Sequence, residues 1–480
     1  MRLGAILYTM GYGGVMLSLL MALPWLLSLR DLQTGQTGAF SIGLILCSFI
    51  SGALLLSGYT SRRHRARGIE LLLIMVMFWS VLPILAAVPL LGAAQIDGLL
   101  PAYFEAVSAL TTSGGSMLAV PEAETAPILI WRALLSWLGG LWTLVFAVAV
   151  LAPFGIGGIT LIGSPLLQHE ENAPLSSRLG RPLRLIAPLY VTLTGVGFLA
   201  LILTGATVFD AFCLSLSAIS TGGMSAQSGS LASYLPYAAQ AVVAGLSFIG
   251  AVSVPLLLII TLGRRAVGTF GDAELRVFCG LIIGYALISL AAIPDLRVDH
   301  AVFQAISMQS TAGFNFLPDG DLTRWPIIWV MVPVLIGGMA MSSAGGLKIM
   351  RAIILAKDIG SELGKLAYPS SVHPLSLEGR RLEESDFTAA WAYTAVFILF
   401  VALGIVLLGI LGSGLSESWP IVLGALTNSL AITNHLDMSL GYAAMSSSLQ
   451  ISIALLMIAG RIELLILMVL FTSTFWRYMR

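Results

Sequence analysis

Ser220-Thr221-Gly222-Gly223-Met224-Ser225 lies between two apolar segments, where a soluble chain would carry an ordinary turn. Counting back ten residues from Gly222 reaches Phe212. The same count from Gly114, in Thr111-Thr112-Ser113-Gly114-Gly115-Ser116, reaches Phe104, and from Gly313, in Ser310-Thr311-Ala312-Gly313-Phe314-Asn315, it reaches Phe303. A device that recurs at one spacing is an internal repeat, and a repeat fixes the architecture before any single element does.

The surrounding sequence is that of a membrane protein. The chain has 480 residues, 58% hydrophobic and 10% charged, with a mean hydropathy of +0.95, more apolar surface than one water-bathed core can bury. A helix needs about 20 apolar residues to cross a hydrocarbon layer of ~30 Å. Such runs fall at 4–28, 38–58, 69–93, 126–152, 182–206, 232–262, 273–293, 325–355, 387–412 and 446–476, ten in all. The expected class is therefore an all-α polytopic membrane protein. Lys and Arg set its orientation. With both termini in the cytoplasm, nineteen of the 24 lie inside, only Arg30, Arg132, Arg297 and Arg324 lie outside, and Arg461 is within a span. The short basic clusters, such as Ser61-Arg62-Arg63-His64-Arg65-Ala66-Arg67, flank spans and read as topology signals, not nucleic-acid patches. The three cysteines show no CxxC spacing and read as small buried residues. The first span is too long for a signal-peptide core and is expected to remain.

Residues 1–68 hold two spans without a hexapeptide, a leader unit. From there the order span, short semi-apolar stretch, hexapeptide, span occupies 69–152, 182–262 and 273–355, and a divergent fourth copy is predicted at 387–476. The short stretches, Leu99 to Leu110 among them, cannot cross a bilayer and predict re-entrant half-helices. Non-helical backbone at membrane depth is tolerated only where protein buries it or where it lines a watery path. Several such segments around one axis would bring their Gly, Thr and Ser backbones together. Glycine lets the chain turn its carbonyl oxygens inward, and rings of carbonyls replace the hydration shell of a monovalent cation. The negative C-terminal ends of the half-helices add to this preference. A single Thr-Gly-Gly is equally a packing motif or a turn; three at one spacing favour a pore.

These residues resemble the Trk/Ktr/HKT superfamily of potassium transporters, and its TrkH-type subunit above all. The resemblance runs over nearly the whole chain. It takes in the two-span leader, the hexapeptides, Gly337-Gly338 with Ser342-Ser343-Ala344-Gly345-Gly346-Leu347-Lys348, and Gly460-Arg461-Ile462-Glu463 with Leu470-Phe471-Thr472-Ser473-Thr474-Phe475-Trp476-Arg477. It implies four helix, pore-helix, helix repeats around one pore, with a filter at Thr112, Ser113, Gly114, Ser220, Thr221, Gly222, Thr311, Ala312 and Gly313. In the fourth repeat it points to Thr433, Asn434 and His435, with Leu436 where the family has glycine, which opens the readings of a sodium-permeable pore and of a pore-inactive scaffold. The resemblance also implies a gate loop at Gly338, Ser342, Ser343, Gly345 and Gly346, a homodimer in the bacterial inner membrane, and a cytoplasmic ring of nucleotide-binding regulatory subunits docking on 356–386. Potassium is then the transported substrate, and no cofactor is expected on this chain.

Arg461 has two readings. As an intramembrane cation it either pairs with Glu463 or a backbone carbonyl to hold helices together, or projects toward the pore and meets the gate loop. Glu105 either pairs with Arg132 or lies at the outer mouth. The stretch from Asp97 to Glu124 has four acids and no Lys or Arg, which would gather cations at the entrance. The five histidines lack metal-ligand spacing, and His169-Glu170-Glu171-Asn172 lacks the second histidine of a zinc helix. There is no catalytic triad and no nucleotide-binding motif, so an enzyme is the least expected class and any nucleotide control is expected to sit on a partner. A secondary carrier would show two related halves, whereas this chain repeats by quarters.

Overall fold

The computed structural model describes residues 3–30, 36–61, 68–151, 175–261, 271–318, 322, 325–367, 375–377, 380–436 and 441–471. The basic cluster at Arg62 to Arg67, the run His169 to Asn172, Arg264, Arg265, Arg324, Asp437 and the stretch from Thr472 to Arg480 lie outside them.

Among the described residues, seven helices are long and apolar enough to span a bilayer: Leu3–Ser28, Gln36–Ser61, Glu70–Gly92, Ala126–Val150, Ser177–Leu203, Ala273–Ala292 and Glu384–Ile410. The other three expected spans are broken, and each is the second span of its repeat. Tyr237–Ala251 and Val254–Thr261 meet at 107°. The 325–355 run divides into Ile327–Ile336 and Ile349–Ala367, and the 446–476 run into Ser447–Ile462 and Leu464–Phe471. Backbone torsions make these breaks, and hydropathy does not register them. Gly337 at φ 75° ends one helix and Glu463 at φ 68° ends another, and both values are hostile to a continuing right-handed helix.

Between the two spans of each repeat stands a twelve-residue helix: Leu99–Leu110, Val208–Ile219, Val298–Gln309 and Leu415–Leu426. At 1.5 Å per residue each is about 18 Å long, too short to cross. All four finish alike. The second residue past the helix has a left-handed φ, at Thr112 (55°), Thr221 (55°), Thr311 (59°) and Asn428 (51°). The next amide then reaches back five residues, from Ser113 to the Ser108 carbonyl (2.9 Å), Gly222 to Ser217 (2.8 Å), Ala312 to Ser307 (3.0 Å) and Ser429 to Gly424 (2.7 Å). This is the Schellman closure, which satisfies the helix's last carbonyls and turns the chain sharply away.

A second register mark lies on the following helix. Counting its first residue as one, Gly139, Gly250 and Gly460 each stand at position fourteen. A Cβ there would lie 1.7 Å from the Leu110 carbonyl oxygen, 2.4 Å from that of Ile219 and 2.3 Å from that of Leu426, in each case the last residue of the same repeat's pore helix. Small residues let backbones approach closely inside a bilayer. The leader uses the same device, since Gly11 and Gly58 sit against the backbone of Leu55 and Gly4. The Ala126–Val150 helix is 89% buried and central, whereas Gln36–Ser61 and Glu384–Ile410 are 22% buried and form the lipid-facing rim.

Candidate ion filter and gate

The four Schellman turns align the quarters of the site as Thr112-Ser113-Gly114, Thr221-Gly222-Gly223, Thr311-Ala312-Gly313 and Asn428-Ser429-Leu430. The first residue of each triplet is no more than 2% exposed. Two sequence expectations change. In the second repeat the equivalent of Gly114 and Gly313 is Gly223, at φ 65°, and not Gly222. Ser220 is the helix C-cap there, the counterpart of Thr111, Ser310 and Thr427. Phe104 and Phe303 are the sixth residues of their helices but Phe212 is the fifth, so counting from the phenylalanine slipped by one. In the fourth repeat the register residues are Asn428 to Leu430, not Thr433 to His435. The pore helix begins directly after Gly412-Ser413-Gly414 and ends at Leu426, seven residues before Thr433. Asn428, Leu430 and Gly223 were thus missed; twelve residues counted from the Gly-Ser-Gly turn would have found the first two.

The glycines are required by close approach. A Cβ on Gly114 would lie 2.5 Å from the Gly222 carbonyl oxygen, and one on Gly223 would lie 2.0 Å from that of Ala312. The first and second quarters thus each nest a carbonyl of the next. Behind them, the pore helices brace the exiting backbone. Glu105 and Gln304, both seventh in their helices, accept from the Met117 amide (2.6 Å) and the Phe316 amide (2.8 Å). Glu105 is fully buried and pairs with Arg132 Nε at 2.6 Å. Of the remaining acids in that stretch, Glu124 accepts from the Gln95 amide at 2.7 Å, Glu122 accepts from the Ser228 amide at 2.8 Å, and Asp97 is exposed. The ion-pair reading of Glu105 therefore holds, and it adds nothing to a cation-gathering mouth. Thr433, Asn434 and His435 belong to a 3-10 helix, Leu430–His435. With Gly114, Gly223, Ser225 and Tyr442 they line a cavity of about 270 Å³ on the far side of the filter from the gate loop.

The residues from Gly337 to Lys348 form an irregular loop directly under the filter triplets. It touches the second, third and fourth quarters. Ser343 Oγ donates to the Gly250 carbonyl (2.8 Å), and the Gly345 amide donates to Thr311 Oγ1 (2.8 Å). A Cβ on Gly345 would lie 1.7 Å from the Thr427 carbonyl oxygen. Gly338 and Ser342 turn inside the loop, the Gly338 carbonyl accepting from the Ile349 amide (3.1 Å) and Ser342 Oγ donating to Met339 O (2.6 Å). Gly346, at φ 84°, packs on Gly337. The buried carboxylate of Glu274 accepts from the Ala340 and Met350 amides, at 2.7 and 3.1 Å, and so holds both ends of the loop.

Arg461 reaches both layers. It donates through Nη1 to the Ser343 carbonyl (3.0 Å) and through Nη2 to Thr112 Oγ1 (2.8 Å), and it lies 6.0 Å from the Trp79 ring centroid. It does not pair with Glu463. The helix break turns that carboxylate to Arg351 Nη2 (2.8 Å), whose guanidinium stacks 3.6 Å over Tyr393. Lys348 Nζ donates to the Ala344 carbonyl. Beneath the filter, Lys348, Arg351, Arg461 and Glu463 thus line one small cavity of about 40 Å³. Among the described residues no group of three His, Cys, Asp or Glu side chains could hold a metal.

A family described as "TrkH: Cation transport protein" matches residues 37–478. The Trk system potassium uptake protein TrkH of Halomonas elongata is 30% identical over 99% of this chain and 100% of that one. The protein of the same name from Salmonella typhimurium is 29% identical over equal shares. The crystal structure of the potassium transporter TrkH from Vibrio parahaemolyticus superposes with a TM-score of 0.84 at 26% identity, covering 99% of this chain and 100% of that one. With four repeats of span, short helix and span, and an irregular loop packed against their turns, the chain belongs to the TrkH family of cation transport proteins.

Proposed function

We propose that this chain is the potassium-translocating membrane subunit of a Trk-type uptake system, passing the ion down its electrochemical gradient through the filter triplets. The observation that carries the reading is the fourfold recurrence of a twelve-residue pore helix ending in the same Schellman turn, in a chain whose relatives are named for potassium uptake. The backbone after each turn supplies oxygens suited to a dehydrated monovalent cation. The excess of Lys and Arg on one side supports a bacterial inner-membrane location with both termini cytoplasmic, the 270 Å³ cavity then facing outward. Arg461 and the Gly337 to Lys348 loop form the gate below the filter. A homodimer, and a cytoplasmic ring of nucleotide-binding subunits on the 356–386 segment, complete the assembly. Expression in a bacterium stripped of its own potassium uptake should restore growth at low external potassium; failure with the protein present in the membrane would sink the reading.

Loop removal tests the gate. Deleting Ser343 to Gly345 severs the bonds to Gly250, Thr311 and Arg461. Rubidium influx into liposomes should rise tenfold or more, and a fall in a protein that still elutes as one species would count against a gating role. The pore-inactive scaffold keeps one specific support, the non-glycine fourth wall at Leu430.

A further inference from the structure

Where Gly114 and Gly223 each adjoin a carbonyl oxygen of the next wall, the nearest atoms to a Cβ on Gly313 would be the Ala431 methyl carbon and the Ile432 amide nitrogen, at 2.6 and 2.8 Å. The chain of the fourth wall crosses into the space the other three enclose. Cβ atoms built on Gly114, Gly223 and Gly313 would lie 2.5, 2.4 and 2.6 Å from the methyl carbon of Ala431. One methyl group adjoining the glycines of all three other quarters stands on the axis of the filter. Ala431 is 1% exposed. Two hydrogen bonds fix it there. The Ala431 amide donates to the Ser113 carbonyl at 2.9 Å, and Asn434 Nδ2 donates to the Gly114 carbonyl at 2.9 Å.

We propose that this turn, Leu430 to His435, is a plug built into the filter, with Ala431 filling the ion's place and the Ala431 and Asn434 N–H groups occupying oxygens the ion must take. The inference rests on the potassium-translocation reading and goes beyond it, because it sets a second barrier in series with the gate loop. A carbonyl oxygen directed at an N–H donor cannot direct the same lone pair at a cation, and a methyl group offers a cation no ligand. A potassium ion therefore enters only when the turn withdraws. Its side chains describe the route. Leu430 packs outward against Gly115 and Gly424, Thr433 is tied to the Tyr442 hydroxyl, and Thr433, Asn434 and His435 already border the open space of the 270 Å³ cavity. The Schellman closure of the fourth pore helix ends at Ser429, so the turn can move without unwinding that helix.

The test compares the full-length chain with Ala431→Gly and Asn434→Ala in liposomes, following radioactive rubidium influx, and follows melting of each detergent-solubilised protein with and without potassium chloride. The first variant empties the axis and the second releases the Gly114 carbonyl. Each should raise influx tenfold or more. Should the gate loop hold influx at background, a potassium-dependent rise in melting temperature seen in the variants and absent from the parent supports the plug equally. Measurable parental influx that neither variant changes by more than twofold overturns the plug and leaves the transport reading standing. Absence of influx and of potassium stabilisation in all three chains overturns both. If Ala431→Gly does not elute as a single species, Asn434→Ala decides.

Discussion

Gly223→Ala is expected to abolish rubidium uptake, lowering it at least a hundredfold, whereas Gly222→Ala one residue earlier should stay within tenfold of the parent. The difference follows from what each new Cβ would meet. At Gly223 the φ of 65° costs an alanine on the order of 1–2 kcal/mol. The added carbon would also lie 2.0 Å from the Ala312 carbonyl oxygen, and backbone cannot rotate away. Relief requires the second and third walls to part, which misplaces the oxygens both supply. A barrier raised by about 2.7 kcal/mol already slows passage a hundredfold. At Gly222 the Cβ would lie 1.9 Å from Ser136 Oγ, the tip of a rotatable side chain. That hydroxyl can turn, giving up its 2.8 Å bond to Ser220 Oγ. Uptake normalised to protein in the membrane measures both. A more damaging Gly222→Ala would return the register to the one counted from Phe212.

Arg461→Gln should raise potassium flux tenfold or more. A fixed positive charge about 4 Å from a permeating cation costs it roughly 4 kcal/mol at an effective dielectric near 20. Arg461 is also the side chain that joins the filter to the loop, through Thr112 and the Ser343 carbonyl. Charge and tether can be separated. Arg461→Lys keeps the charge but loses the planar fork that spans two partners. If repulsion dominates, the lysine variant conducts like the parent and only glutamine opens the path. If the tether dominates, both variants open. A fall in flux for both, in protein that remains folded, would mean that Arg461 supports the conducting form instead of restraining it.

The reach of the sequence differs between these sites for physical reasons. Long apolar runs and basic flanks report on the bilayer directly, so the rim helices and the order of repeats were readable. The re-entrant helices were readable too, because the segment from Leu99 to Leu110 is too short for any other place in a membrane. Register was harder. Gly222 and Gly223 are adjacent, and only the backbone torsion distinguishes the one the turn requires. In the fourth repeat no glycine marks the turn, and Asn434 attracted attention that belonged to Asn428, whose left-handed φ asparagine tolerates better than most residues. The partner of Glu463 was hidden for another reason. Sequence proximity favoured Arg461, but the helix break between them faces Glu463 toward Arg351, 112 positions away. Long-range ion pairs leave no local pattern.

The unequal fourth wall has a consequence for how such a constriction can change over time. In a ring of identical subunits every substitution strikes four places at once, so a change at the axis is all or nothing. Here one gene encodes four separate walls. Three keep their glycines at Gly114, Gly223 and Gly313, while Leu430 and Ala431 stand in the fourth. Inheritance can therefore adjust a single side of the opening, one residue at a time, with the other three held constant as a frame.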